Sequence, residues 1–177
     1  HSFPTRRSSD LDLLALSETS SRNRIDRTDT VGINQLCHSA ITMSRVSDNL
    51  FYHFNFTSDF NDDEQILTAE SYAIQAISQL LDNAMKFTPE GGKIQMACTK
   101  ADSFVQIAIE DNGCGVPAEK AEDIFKEFVQ LDEYQTGTGI GLTLSRNIAR
   151  GLGGDLILDL SYSQGARFIL TLPVKNE

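Results

Sequence analysis

No stretch of about 18 consecutive apolar residues occurs anywhere in the chain, so no membrane span and no membrane contact by this segment is expected. Cysteine is scarce and scattered. Cys37, Cys98 and Cys114 form no Cys-x-x-Cys pair, and with three histidines they make no metal-ligand spacing. Reduced thiols in a cytoplasmic protein are the expected state. Basic residues are also short: 15 Lys and Arg stand against 25 Asp and Glu, a formal net charge of −10. That balance argues against a nucleic-acid surface. There is no internal repeat, no linker composition and no second domain. Residues 1–10 are polar and broken by Pro4; lacking an apolar signal core, they read as a tag or a disordered lead-in.

What is present suffices for one domain: 177 residues, 40% of them hydrophobic. The most informative stretch is the end of a helix over 70–87, stopped by Pro89 and by Gly91 and Gly92. Gln79, Asn83, Lys86 and Phe87 recur at helical spacings and share one side, with Leu80, Leu81 and Ala84 on the opposite, buried side. The polar side offers an amide carbonyl for a hard metal ion, an amine for phosphate and an aromatic ring. Asn83 is a poor helix former inside a strong apolar helix, so either a ligand or a solvated position near the helix end accounts for it.

The surrounding pattern predicts alternating strands and helices. A short strand at 30–33 leads into a helix capped by Asn34, with Leu36, Cys37, Ala40, Ile41 and Val46 on its apolar face. Tyr52, Phe54 and Phe56 alternate as a strand, 58–64 is an acidic loop, and 66–68 is a short strand. A hairpin follows, Ile94, Met96 and Cys98 on one strand and Val105, Ile107 and Ile109 on the other. Pro117 and Ala118 open a helix ending near Phe128, 129–136 reads as a mobile loop, and 140–152 is a helix closed by glycines. Leu156, Leu158 and Leu160 form a strand, 161–165 turn, and Phe168, Leu170 and Leu172 form the last strand. Paired strands with helices between them fit a two-layer α/β sandwich, one mixed sheet covered on one face by helices.

Two glycine-rich turns complete the picture. Asp111-Asn112-Gly113-Cys114-Gly115 sits where a strand ends, and Gly137-Thr138-Gly139-Ile140-Gly141-Leu142 opens a helix. Glycines admit close backbone approach to a ligand, and free N–H groups at a helix start suit phosphate. Taken in order, Asn83 and its neighbours, 111–115, 125–128 and 137–141 resemble the N, G1, F and G2 boxes of the ATP-binding catalytic domain of sensor histidine kinases, in the gyrase/Hsp90/MutL ATPase superfamily. The resemblance covers residues 30–174, most of the chain.

The resemblance implies a Bergerat-type fold that binds ATP with Mg²⁺. It implies that Asn83 holds the metal, with Gln79 as a second candidate, that Lys86 reaches phosphate, and that Phe87 stacks on adenine. It makes Asp111 the acceptor of the adenine 6-amino group and gives nucleotide contacts to Gly113, Gly115, Val116, Gly137, Thr138, Gly139, Ile140, Gly141 and Leu142. Residues 11–29 would be the remnant of a dimerisation helix and linker, and 30–177 the catalytic domain. The implied activity is transfer of the ATP γ-phosphate to a His on a separate dimerisation module. Implied partners are that module and a response regulator or receiver domain. The segment itself would be cytoplasmic, and the full-length protein anchored in the inner membrane.

Three departures from the family pattern qualify this. Gln79 stands where hydrolytic relatives carry a general-base Glu, and an amide cannot accept a proton at neutral pH. No Lys or Arg occurs from 129 to 143, where the family's lid is often basic. His38 is followed by Ser39 and Ala40 with no Pro nearby, and His53 alternates outward on a strand, so neither has the phosphoacceptor context. A degenerate nucleotide-binding regulatory module and an anti-sigma-type serine kinase of the same fold are the alternatives.

Overall fold

The computed structural model describes residues 24–126 and 141–175. The readings at 1–23, at 127–140 (Phe128, the loop 129–136, and Gly137, Thr138, Gly139 and Ile140) and at the last two residues lie outside these.

Strand β1 (Asp29–Gly32) runs into helix α1 (Ile33–Ser44), then β2 (His53–Ser58), β3 (Gln65–Thr68) and helix α2 (Glu70–Phe87). The hairpin β4 (Lys93–Ala101) and β5 (Phe104–Asp111) follows, then helix α3 (Gly141–Gly151), β6 (Asp155–Leu158) and β7 (Arg167–Pro173). Five strands form one sheet in the order β2-β4-β5-β7-β6; β2 lies parallel to β4 and the other pairs are antiparallel. This is the mixed sheet expected. A separate two-stranded ribbon pairs β1 with β3.

Register explains which face is covered. Met96, Ile109 and Phe168 are cross-strand partners, as are Cys98, Ile107, Leu170 and Leu156, and all are buried. The pleat sends Gln95, Thr99, Gln106 and Thr171 to the other face, where they are half-buried. The helices pack on the apolar face, α2 against α1, α3 and β5, and α3 against β6. On α2 the stripe Ala73, Ala76, Ile77, Leu80, Leu81 and Ala84 is buried, as the periodicity predicts. Truncating Leu80 or Leu81 to Ala there costs about 2–5 kcal/mol. Among the described residues no helix is long and apolar enough to cross a membrane.

Three local expectations are corrected. Gly32, not Asn34, occupies the N-cap of α1, because the chain passes from β1 directly into the helix. The Asn34 amide instead donates to the Phe60 carbonyl (2.9 Å) and to Asp62 Oδ1 (3.0 Å), and its oxygen accepts from the Ser58 hydroxyl (2.6 Å), pinning the acidic loop. The segment after Pro117 forms two 3₁₀ turns, Ala118–Lys120 and Asp123–Phe125, rather than an α-helix. Only Ile124 and Phe125 are buried there, too few apolar contacts to hold a longer helix against the core. Leu160 lies beyond the end of β6 and is 62% exposed.

Candidate functional site

The C-terminal end of α2 and the turn after β5 meet. Gly113 lies so close to α2 that a Cβ built on it would stand 2.2 Å from the Phe87 carbonyl oxygen. Only glycine allows that approach. Asn112 fixes the turn from the other side: its side-chain oxygen accepts from the Lys93 amide (2.8 Å), anchoring the loop to the start of β4.

Asp111 ends β5 on the covered face, in register with Ile94, and is buried. Its Oδ1 accepts from the Gly113 amide (2.9 Å) and the Ala166 amide (3.2 Å). Among the described residues Oδ2 has no hydrogen-bond partner. Burial pushes the carboxyl above its ordinary range, and the two backbone N–H donors oppose that without reversing it. A half-free, buried carboxylate at a glycine-lined strand end has the capacity to accept from one further donor.

On α2, Asn83 is half-buried and has no hydrogen-bond partner among the described residues. Lys86 is exposed; burial of its surroundings draws its amine down, while Asp82, one turn back, pulls the other way. Phe87 is half-buried, and among the described residues it lies outside the hydrophobic core cluster. Gln79 is half-buried, and its Oε1 would stand 2.9 Å from a Cβ on Gly141, at the first residue of α3. Helix α3 is keyed to the same region. The Ser145 hydroxyl donates to the Ala76 carbonyl (2.9 Å) and the Thr143 hydroxyl to the Phe125 carbonyl (2.6 Å). The Arg146 guanidinium covers the Phe125 ring at 4.1 Å and pairs with Glu122 at 3.1 Å. Phe125 also meets Phe168 edge-on at 6.2 Å, so this phenylalanine is clamped to the core.

Thus Gln79, Asn83, Lys86, Phe87, Asp111, Gly113 and Gly141 belong to adjoining elements. Gly115 takes φ +72° beside the Gly165 carbonyl, and Val116 and Leu142 pack on the core edge. Sequence reasoning missed the supports of Asp111. Ala166 clasps it by backbone, and the Tyr162 hydroxyl donates to the Asp111 carbonyl (3.2 Å). Gly165 must be glycine here, since a Cβ would stand 2.0 Å from that same carbonyl oxygen.

The donor set suits a metal carried in by a ligand. Mg²⁺ often takes one or two protein oxygens and leaves the rest to phosphates and water. The Asn83 side-chain carbonyl has the chemistry such a ligand requires. Among the described residues no group of three or more His, Cys, Asp and Glu forms a cage of its own.

Comparison with known proteins gives concordant results. A family model described as "Histidine kinase-, DNA gyrase B-, and HSP90-like ATPase" matches residues 68–176. The adaptive-response sensory kinase SasA of Thermosynechococcus vestitus is 38% identical over 147 residues, 80% of this chain and 38% of that protein. The chain therefore spans well under half of that relative's length. The nucleotide-free catalytic domain of histidine kinase ThkA superposes with a TM-score of 0.73 at 25% identity, covering 82% of this chain and 95% of that one. ThkA has also been solved in complex with the response regulator protein TrrA. Full-length ShkA in complex with AMPPNP shares the fold, with a TM-score of 0.76 at 24% identity over 97% of this chain and 38% of that one.

Proposed function

The chain belongs to the histidine kinase-, DNA gyrase B- and HSP90-like ATPase family, and from that premise we propose that residues 30–177 are the ATP-binding catalytic domain of a two-component sensor histidine kinase. The observation that carries this is the meeting of the α2 end with Asp111: a buried carboxylate with Oδ2 open, beside a glycine turn laid against Phe87.

In this reading Asp111 Oδ2 accepts from the adenine 6-amino group, Phe87 lies on the ring, and Gly113, Gly115 and Val116 line the base. Lys86 and the start of α3 at Gly141 and Leu142 face the phosphates; Gly137, Thr138, Gly139 and Ile140, outside the described residues, keep the nucleotide contacts that the family resemblance implies. Asn83 would hold Mg²⁺, with Gln79 beside it. Bound there, the ion would offset charge on the β- and γ-phosphates. The phosphoacceptor is a neutral imidazole on a separate dimerisation module. Its nitrogen attacks the γ-phosphorus in line, an N–P bond forms, the bridging P–O bond breaks, and ADP leaves. A response regulator then takes the phosphoryl group, as the pairing of ThkA with TrrA suggests. The sensor-kinase names of the relatives favour this over a degenerate regulatory module or a serine kinase.

The test is a calorimetric titration with Mg-ATP followed by incubation with a supplied dimerisation module. Acid-labile, base-stable label on the module is expected. Nucleotide binding without any transfer points to the regulatory module, and label on serine to the other alternative.

A further inference from the structure

At the end of β5 remote from Asp111, where Phe104 begins the strand, the surface holds a cavity of about 370 Å³ walled by Arg24, Arg27, Arg150 and Lys175. Its floor is apolar, from Phe104, Leu152 and Pro173. The chain as a whole carries a net charge of −10, yet among the described residues no Asp or Glu lines this cavity. Along β5 the separation from Asp111 is roughly 23 Å at a strand rise of about 3.3 Å per residue.

The four cations are not equally engaged. Arg27 donates to the carbonyls of Pro173 (3.3 Å) and Lys175 (3.0 Å), which ties the segment before β1 to the end of β7 and holds the guanidinium in the wall. Arg150 is paired with Asp155 at 2.9 Å. Arg24 and Lys175 are exposed and form no ion pair among the described residues. The C-terminal carbonyls of α3, which would repel an anion, are already taken. Gly153 donates to Arg150 (3.1 Å), Gly154 to Ala149 (2.8 Å) and Ile25 to Gly151 (2.9 Å). Arg24 and Lys175 are like charges with no acid paired to either among the described residues, and an apolar floor strengthens the repulsion between like charges. A bound anion reverses its sign. Guanidinium forks match phosphate geometry in a bidentate way, and the volume lies within the range of small-ligand sites. It is too small for a length of extended acidic peptide.

We propose that this cavity is an oxyanion site for a phosphate-class ligand, distinct from the Asp111 site. The inference does not rest on the nucleotide reading, because no residue is shared between the two places.

The full 177-residue chain, isotopically labelled, is titrated with pyrophosphate at constant ionic strength and followed by amide shifts. Shifts at Gly151, Gly153 and Lys175 are expected. In the double variant Arg24→Gln, Lys175→Gln, whose positions are both exposed, affinity at those amides should fall about tenfold or more, the loss of one charged hydrogen bond. Shifts confined to Gly113 and Gly115, affinity unchanged in the double variant, or tighter binding of hexaglutamate than of pyrophosphate would each overturn the proposal.

Discussion

Ala166 holds Asp111 by both of its backbone groups: its N–H donates to Asp111 Oδ1 at 3.2 Å and its carbonyl accepts the Asp111 N–H at 2.9 Å. With the Gly113 amide also on Oδ1 at 2.9 Å, the carboxylate is held by that oxygen, and Oδ2 has no hydrogen-bond partner among the described residues. Asp111→Asn keeps the size but replaces an acceptor by a donor. If the amide oxygen keeps the two backbone donors, its NH₂ faces the adenine amino group. Affinity for adenine nucleotides should fall about 30-fold, near 2 kcal/mol, with a smaller change in the unfolding midpoint. Calorimetry finding wild-type affinity in this variant would remove Asp111 from the adenine role.

The same carboxyl sets a pH dependence. Burial holds its folded-state pKa above the ordinary value. A raised acid keeps its proton longer in the folded than in the unfolded chain. Its contribution to stability is therefore fully present below the unfolded value of about 3.9 and is lost as pH rises through the folded value. Nucleotide affinity runs the opposite way, because the ionised form is the acceptor. Affinity should fall, as pH drops, in a range above that of an ordinary Asp, and the Asp111→Asn variant should lack that step. A break at the ordinary carboxylate range in the wild type would contradict the assignment.

Two glycines of the site should respond differently to alanine. At Gly113 the new Cβ would meet the Phe87 backbone oxygen at 2.2 Å, so either the turn or the end of α2 must move. A loss of about 1–3 kcal/mol of stability is expected, with nucleotide binding weakened beyond that. At Gly141 the nearest atom is Gln79 Oε1 at 2.9 Å, the far end of a flexible side chain that can swing aside. Gly141→Ala should cost little in stability. Chemical denaturation of both variants checks the contrast; equal losses would mean that the approach of the turn to α2 is not a constraint.

Much of this was legible in the sequence because it is local. Leu80, Leu81 and Ala84 fall on the buried side of α2 and Asn83 off it, as a period of 3.6 requires. The alternation of Ile94, Met96 and Cys98 gives β4 its buried face for the same kind of reason. The supports of Asp111 were not legible, since Tyr162 and Ala166 lie 51 and 55 residues away and no spacing rule links them to it. The stretch after Pro117 misled for another reason. Proline and alanine open helices well, but exposed Glu119, Lys120, Glu122 and Asp123 leave nothing to pack, and the chain turns in 3₁₀ steps. Asn34 has the chemistry of a cap, yet Ser58, Phe60 and Asp62 claim its amide.

Asn83→Ala separates a ligand role from a structural one. The side chain has no hydrogen-bond partner among the described residues, and alanine is the better helix former by about 0.5 kcal/mol. Thermal stability without nucleotide should stay level or rise slightly. The Mg²⁺-dependent part of ATP affinity should disappear, leaving the affinity measured in EDTA. A variant that unfolds more easily, or that still gains affinity on adding Mg²⁺, would count against Asn83 as the metal ligand.

The isolated chain should neither phosphorylate itself nor hydrolyse ATP quickly. Phosphoryl transfer needs an in-line nucleophile as well as charge neutralisation. The second requirement has candidates in Asn83, Lys86 and the start of α3. The first lacks one among the described residues. His38 lies on α1 with its ring edge-on to Phe56 at 5.2 Å, and His53 sits at the exposed start of β2. A water nucleophile would need a base, and Gln79, the residue on α2 that reaches toward Gly141, is an amide with no proton-accepting capacity at neutral pH. Replacing Gln79 with Glu supplies that missing group beside the start of α3. The variant should release phosphate from ATP at least about tenfold faster than the wild type, within the range of general-base catalysis. Rapid phosphate release by the wild type, or base-stable label on His38, would show that the nucleophile has been sought in the wrong place.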